Sequence, residues 1–448
     1  MDETHAYDVV LVGGGVTGTA LLYTLARYTN ARRILLIERR VGVAMVNSRS
    51  DNNSQTMHSG EIETNFTLAK ALRVRAGADL LAAYIERHAP DVCLRLPKMV
   101  IGVGDEETAG LAQRYQTFRP HFPHLRLLGR EAIAEIEPRV VEGRDAAEPL
   151  NALHSDHGYA VDYRRLSESF LAEANRSGRV EAVFDREVLA VTREGSHFRV
   201  ETSNGCVTAK AVVVAAGLSS LLFAHALGVG KEYALLPVAG SFYRCGKVLN
   251  GKVYTVQLPG IPFAAVHGDP CVYDRDQTRF GPTAKPLPLI ERDHWSTFLD
   301  YLRTGSLTPS GVWAVLRVLM TPTFLPFACK NALYDVPWVG KRVFLASARK
   351  IVPTLEAKDL QLDRGAGGLR GQLVDTRTGT FPANSEKLLG EGIIFNMAPS
   401  PGASYCLGNA VEDVRRLAGF LGPDFRFDEA AMLSELLPQA PSLVTAAL

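Results

Sequence analysis

Apolar residues near the start of the chain fall into short runs separated by glycines. Tyr7–Val12 is one such run, broken by Asp8 and holding three valines, and it reads as a buried strand. It leads directly into Gly13, Gly14, Gly15, Val16, Thr17 and Gly18, and a helical stretch with Ala20, Leu21, Tyr23, Thr24 and Leu25 follows before Asn30. A second run, Ile34–Ile37, ends in Glu38, 20 residues past Gly18. Residues 187–192 and 198–202 alternate in polarity around Gly195, the pattern of a hairpin. A strand over 211–215 stops at Ala216 and Gly217, with Ser219 and Ser220 after it. Near the C-terminus, 393–396 reads as a strand entering Pro399, Ser400, Pro401, Gly402, Ala403 and Ser404, then a helix through Arg416. Between these pieces, 80–87 and 311–320 carry apolar positions at helical spacing, the second helix ended by Pro322.

Two windows, 211–230 and 392–411, approach the length of a membrane span without a formally charged side chain. Glycine, serine and proline interrupt both, so each is expected to be strand, turn and helix instead. Asp2 and Glu3 stand where a signal peptide carries basic residues, so no export signal is expected. With 46% hydrophobic and 22% charged residues in 448, the chain can fill a large core. Its net charge of +1 argues against a nucleic-acid partner. The six cysteines are never closer than the 26 residues from Cys245 to Cys271, which offers no zinc knuckle or CxxC pair and makes a reducing cytoplasm the default.

The first strand, glycine loop, helix, second strand and acid together predict a dinucleotide site. Gly13 permits the tight turn, Gly15 lets the backbone approach a pyrophosphate, and Gly18 lets the helix pack on the strand. The helix N-terminus, at Val16 and Thr17, faces the anion. Glu38 suits a ribose hydroxyl and disfavours a 2′-phosphate. This much leaves FAD and NAD both open.

With the late strand–loop–helix, these pieces resemble the FAD-dependent oxidoreductases of the glutathione-reductase type, in the branch like D-amino-acid oxidase. The resemblance implies an α/β fold: a Rossmann-like FAD-binding domain interleaved with an α+β substrate domain built on a mixed or antiparallel sheet. The expected FAD-binding part is 1–71, 150–235 and 382–448, and the substrate part 72–149 and 236–381. Its implied FAD contacts are Gly13, Gly15, Val16, Thr17, Gly18, Glu38, Arg39, Val188, Ala216, Gly217, Pro401, Gly402, Ala403 and Ser404.

The segment Asn52, Asn53, Ser54, Gln55, Thr56, Met57, His58, Ser59, Gly60, Glu61 resembles the flavin-contacting loop of 2-hydroxy-acid dehydrogenases, which adds Asn53, Ser54, Gln55 and Thr56 to that set. Its continuation through Thr64, Asn65 and Lys70, with 98–104, is similar to the malate:quinone oxidoreductase family in its shorter bacterial form. That resemblance covers nearly the whole chain and implies oxidation of L-malate, or a similar 2-hydroxy acid, with electrons passed to a membrane quinone. L-2-hydroxyglutarate dehydrogenase or oxidase activity, and a non-catalytic binding protein of the same fold, are the alternatives.

Such oxidation needs a carboxylate clamp and a base for the hydroxyl proton, with the flavin accepting hydride. Arginine suits the clamp and histidine the base. Arg370 lies in Gly367, Gly368, Leu369, Arg370, Gly371, Gln372, where Arg370 and Gln372 match the family's Ala-Gly-Gln-Arg-Val-Gln. Arg279, two residues before Gly281, is the weaker candidate. His58 closes the flavin loop. His267 follows the apolar run 262–266, and the family implies a site histidine at this strand end ahead of a Gly-Pro pair matching Gly281 and Pro282. Gly268, Asp269 and Pro270 stand where that pattern more often has Asp-Thr-Arg. The remaining histidines, including His121, His124, His154, His157 and His225, have no third ligand at a diagnostic spacing, so no metal site is expected.

The neutral total hides one asymmetry. Between Arg303 and Lys350 stand seven basic residues and a single acid, Asp335, among Trp313, Leu316, Leu319, Met320, Phe324, Leu325, Phe327 and Trp338. A core helix with a solvated basic loop is one reading. Peripheral contact with the inner face of a membrane through 303–350 is the other, and a quinone acceptor favours it.

Overall fold

The computed structural model describes residues 6–258, 261, 266–336, 338–382, 387–397 and 401–437. Most of the run before His267 (262–265), with Pro399 and Ser400, lies outside the described residues.

β1 (Tyr7–Val12) lies inside an eight-stranded sheet, parallel to both β2 (Ile34–Ile37) and the strand Gly205–Val214. Strand alternation sorts its side chains. Val9 and Leu11 pack beneath helices, while Val10 and Val12 join the core on the other face. α1 (Val16–Tyr28) covers the first face between helices Tyr163–Asn175 and Cys406–Leu421. The hairpin around Gly195 forms as expected, pairing Val188–Glu194 with His197–Thr202. The late strand Ile393–Asn396 runs parallel to Gly205–Val214, so both ends of the chain build one sheet.

A three-stranded antiparallel sheet (Lys285–Pro286, Tyr233–Ala239, Leu369–Asp375) closes the second face. Leu235, Leu369 and Leu373 point into the nucleotide-side core, and Leu236, Val238 and Val374 point outward under helices Pro309–Leu319 and Phe324–Tyr334. A further eight-stranded sheet, antiparallel except where Lys252–Thr255 runs parallel to Cys93–Val103, carries His267–Cys271. The α/β class with a second, mixed sheet is therefore the observed one.

Two segments sit elsewhere than the sequence grouping had them. Leu150–Val161 pairs with Cys93–Val103 and Arg126–Gly129 in the second sheet, not with the nucleotide strands. It is an interior strand buried on both faces, with Ala152 in one core and Leu153 in another, and such a strand does not name its partner. Helix Leu68–His88 packs instead against α1 and Cys406–Leu421. Gly77 allows this approach, because a Cβ there would lie 2.1 Å from the ring of Tyr405.

Candidate active site

A cavity of about 1190 Å³ runs along the C-terminal ends of β1 and β2 and under the three-stranded sheet. Gly13, Gly15, Val16, Thr17, Glu38, Arg39 and Val188 line one end; Ala216 and Gly217 border its middle. Asn53, Ser54, Thr56, Pro401, Gly402, Ala403, Ser404, His58 and Arg370 also line it. Gly13 has φ +106°, and a Cβ there would meet the Ala215 carbonyl oxygen at 2.5 Å. Gly18 does not line the cavity: it lets α1 lie on the loop, since a Cβ would fall 2.0 Å from the Gly13 carbonyl oxygen.

Glu38 is held in place by the backbone. Its carboxylate accepts from the Gly14 amide at 2.6 Å and the Arg40 amide at 2.8 Å. Arg39 pairs with Glu291 at 2.5 Å. The glycine cradle, the anchored acid and the long cavity fit a dinucleotide with its pyrophosphate at the start of α1.

The 47–58 loop is fastened from several sides. Asn53 donates to the carbonyls of Asn47 and Arg49, and Asn47 Oδ1 accepts from the Leu369 amide at 3.1 Å. Thr56 Oγ1 meets the Tyr254 hydroxyl at 2.5 Å, and the Thr56 carbonyl accepts from Tyr163 and Ser404. Gln55 is a correction: it does not line the cavity. It is fully buried at φ +54°, donates to the Ser50 carbonyl and accepts from the Val272 amide. It holds the loop to the second sheet.

A smaller cavity of about 100 Å³ adjoins the first, and His58, Ser54, Pro282 and Arg370 border both. Glu63, Thr64, Asn65, Lys70, Tyr254, Thr255, Gln257 and His267 complete its wall together with the apolar Ile62 and Phe66. Among the described residues no group accepts a hydrogen bond from the Arg370 guanidinium and no carboxylate pairs with it. Burial draws the Arg370 pKa below the ordinary arginine value, with the nearby Tyr254 opposing. Such an enclosed, unpaired cation favours an anionic ligand.

His267 is buried, its ring 4.6 Å from that of Tyr254, with Nε2 3.3 Å from Asp269 Oδ1. Asp269 is also the counter-ion of Lys252 (3.1 Å) and Arg279 (3.4 Å), all three fully buried. Arg279 is the second correction. It lines neither cavity, lies over the Phe242 ring and donates to the Asn53 carbonyl. Its place is under the flavin loop, because the strand pairing sets it opposite Asp269. Burial first, then Lys252 and Arg279, pull the His267 pKa down to about 3 against the pull of Asp269.

His58 differs in its partner. Its Nδ1 lies 2.8 Å from Glu63 Oε1, and its backbone amide donates to Ser404 Oγ at 2.9 Å. Glu63, Tyr254, Gln257 and Asp269 were not singled out from sequence as site residues. Only Glu63, five residues after His58, carried a local signal.

The family model for FAD dependent oxidoreductases matches residues 8–408. A protein of Campylobacter jejuni named as a probable malate:quinone oxidoreductase is 38% identical, over 96% of this chain and 99% of its own length. A malate:quinone oxidoreductase of Helicobacter pylori is 37% identical, over 94% of this chain and 96% of its own. Among solved structures, the FAD-bound L-alpha-glycerophosphate oxidase of Mycoplasma pneumoniae superposes with a TM-score of 0.64 at 17% identity, covering 95% of this chain and 97% of that one. Glycine oxidase from Geobacillus kaustophilus gives 0.64 at 18% identity, over 96% and 98%. These two share the fold. The chain belongs to the FAD-dependent oxidoreductases of the D-amino-acid-oxidase type and, among them, to the malate:quinone oxidoreductase family.

Proposed function

We propose that this protein oxidises L-malate to oxaloacetate, with FAD in the long cavity and quinone as the final acceptor. The observation that carries this reading is Arg370, a guanidinium without a partner among the described residues, placed where the FAD-sized cavity meets a smaller one. Its planar fork takes the carboxylate beside the hydroxyl-bearing carbon. Bound FAD supplies the acceptor for the C2 hydrogen and two electrons. Gly13, Gly15, Val16 and Thr17 receive the pyrophosphate, Glu38 the ribose, and Asn53, Ser54, Thr56 and the 401–404 loop border the flavin end. His58 or His267 takes the hydroxyl proton. Lys70, on the wall of the small cavity, adds positive charge for a second carboxylate, which favours a dicarboxylate over a monocarboxylate.

Helix Pro309–Leu319 supports a membrane-surface role for 303–350. It buries Gly311, Ala314 and Val318 on the protein, yet exposes Val312, Trp313, Leu316 and, just beyond it, Met320 on the opposite side. Helix Phe324–Tyr334 follows at an 85° bend and exposes Leu325 and Leu333, with Trp338 87% exposed beyond it. No single described helix is long and apolar enough to cross a membrane. A helix apolar on both sides, flanked by Arg317, Lys330 and Arg342, suits the headgroup layer of anionic lipid. One sheet layer separates this hairpin from the flavin cavity.

The visible spectrum decides the reading: the purified protein shows flavin absorption that L-malate bleaches without oxygen and that quinone restores. Flavin left unbleached by malate but bleached by L-2-hydroxyglutarate would reassign the substrate.

A further inference from the structure

Two histidines reach the small cavity, each beside a carboxylate, and their surroundings divide the labour between them. The Glu63 side chain is nearly buried with its Oε1 on His58 Nδ1 at 2.8 Å, and its Oε2 has no hydrogen-bond partner among the described residues. Burial by itself raises the Glu63 pKa, but the hydrogen bond and charge of His58, with the charge of Lys98, bring it to about 2. An ionised carboxylate only accepts hydrogen bonds, so Nδ1 of His58 carries the hydrogen. The free lone pair is then on Nε2, which has no partner among the described residues, on a side chain that borders both cavities. The acid also stabilises the imidazolium that forms when Nε2 gains a proton.

His267 is placed the other way. Its Nε2 faces Asp269, whose single negative charge is already shared by Lys252 and Arg279. Two cations and one anion leave a net positive surrounding, and an added proton on a buried imidazole there is opposed twice over.

We propose that His58 is the base that takes the hydroxyl proton, that Glu63 is its positioning residue, and that His267 stays neutral throughout. This rests on the malate reading above. The hydroxyl O–H bond breaks with its proton going to His58 Nε2, the C2 hydrogen leaves with two electrons to the FAD, and the C2 carbonyl forms. The other charged or titratable groups around the dyad are Lys98 behind Glu63 with its own partner Glu61, Arg114 on the Glu63 carbonyl, Tyr254 with its ring 6.4 Å from that of His58, His267, and Arg370 and Lys70 across the small cavity.

The test combines histidine NMR with kinetics on the FAD-loaded protein. In 15N-histidine spectra, the His58 signals, assigned by their loss in His58→Asn, report a tautomer protonated at Nδ1. In Glu63→Gln that tautomer preference is lost, while Glu63→Asp keeps it. The His267 resonance does not titrate between pH 5 and 9. For malate oxidation, His58→Asn lowers kcat about 100-fold or more, and Glu63→Gln lowers kcat about tenfold while KM changes little, with Glu63→Asp recovering part of the loss. His267→Gln leaves kcat within about tenfold of wild type. An Nε2-protonated His58, a tautomer unchanged in Glu63→Gln, or a kcat lost in His267→Gln as fully as in His58→Asn overturns the assignment. Wild-type flavin that malate fails to bleach overturns the substrate reading instead, and the NMR result still decides the dyad.

Discussion

Ser404 and His58 are joined by a 2.9 Å hydrogen bond from the His58 amide to Ser404 Oγ, across 346 residues of sequence. The same hydroxyl donates to the Thr56 carbonyl at 3.2 Å. One side chain thus fastens the C-terminal glycine loop to the histidine-bearing loop, and both border the flavin end of the long cavity. Removing it leaves a part-buried amide without its acceptor, a cost of about 1 kcal/mol. Ser404→Ala is therefore expected to weaken FAD binding about tenfold, read by fluorescence titration of the apoprotein. Unchanged affinity would mean that the two loops are held independently.

The Arg370 guanidinium has no hydrogen-bond partner among the described residues, so the proposed clamp can be removed without breaking a contact of the fold. Arg370→Ala should leave the flavin spectrum and thermal stability close to wild type. It should lower kcat/KM for malate by about 100-fold, mostly through KM, as a charge-assisted bidentate contact worth about 2–3 kcal/mol requires. Arg370→Lys restores only part of this, because an ammonium lacks the planar fork. A KM within twofold of wild type removes Arg370 from the clamp.

The division between what was legible in the sequence and what was not follows the range of the interactions. The Gly13–Gly18 loop and Glu38 act within one strand–helix–strand unit, so their spacing stated their geometry. Arg370 and His58 were singled out through family resemblance and through glycines near them, and both border the two cavities. Gln55 and Arg279 were misplaced because their partners, Val272 and Asp269, come from strands whose register no local pattern gives. Helix Pro309–Leu319 was legible as a helix, but its apolar residues on both sides could not say which side the protein covers. The strand Leu150–Val161 was missed for the complementary reason: its polar residues Asn151, His154, Ser155, Asp156 and His157 fall on both faces, so no alternation gives it an orientation.

The Asp269 cluster predicts an acid-sensitive step in stability. Burial raises the Asp269 pKa, but Lys252 and Arg279 override it and hold the carboxyl below its ordinary value. A carboxylate depressed in the folded state stabilises the fold above its unfolded pKa of about 3.9, and that contribution is lost as pH falls through the folded value. Asp269→Asn leaves two buried cations without a counter-charge, a loss of about 3–5 kcal/mol at neutral pH. Denaturant unfolding at pH 7 and at steps below the unfolded pKa of about 3.9 measures both effects. The wild type weakens toward low pH, and the gap between it and Asp269→Asn narrows there. A gap that stays constant would assign the loss to packing alone.

Variants in the exposed helix pair can separate chemistry from the proposed membrane contact. Trp313, Leu316 and Met320 lie on the side of helix Pro309–Leu319 away from the core, so replacing all three with serine removes apolar surface without opening the interior. Wild-type protein is expected to float with vesicles containing anionic lipid, and to float less as salt rises, because Arg317, Lys330 and Arg342 contribute through screened charge. The triple variant should stay with the soluble fraction at low salt. Its malate oxidation with a water-soluble dye should match wild type, while its rate with a long-chain quinone in vesicles falls at least tenfold. Equal flotation of the two proteins would place membrane contact elsewhere on the surface. Equal loss with dye and quinone would mean that the hairpin supports the three-stranded sheet over the flavin and not the bilayer.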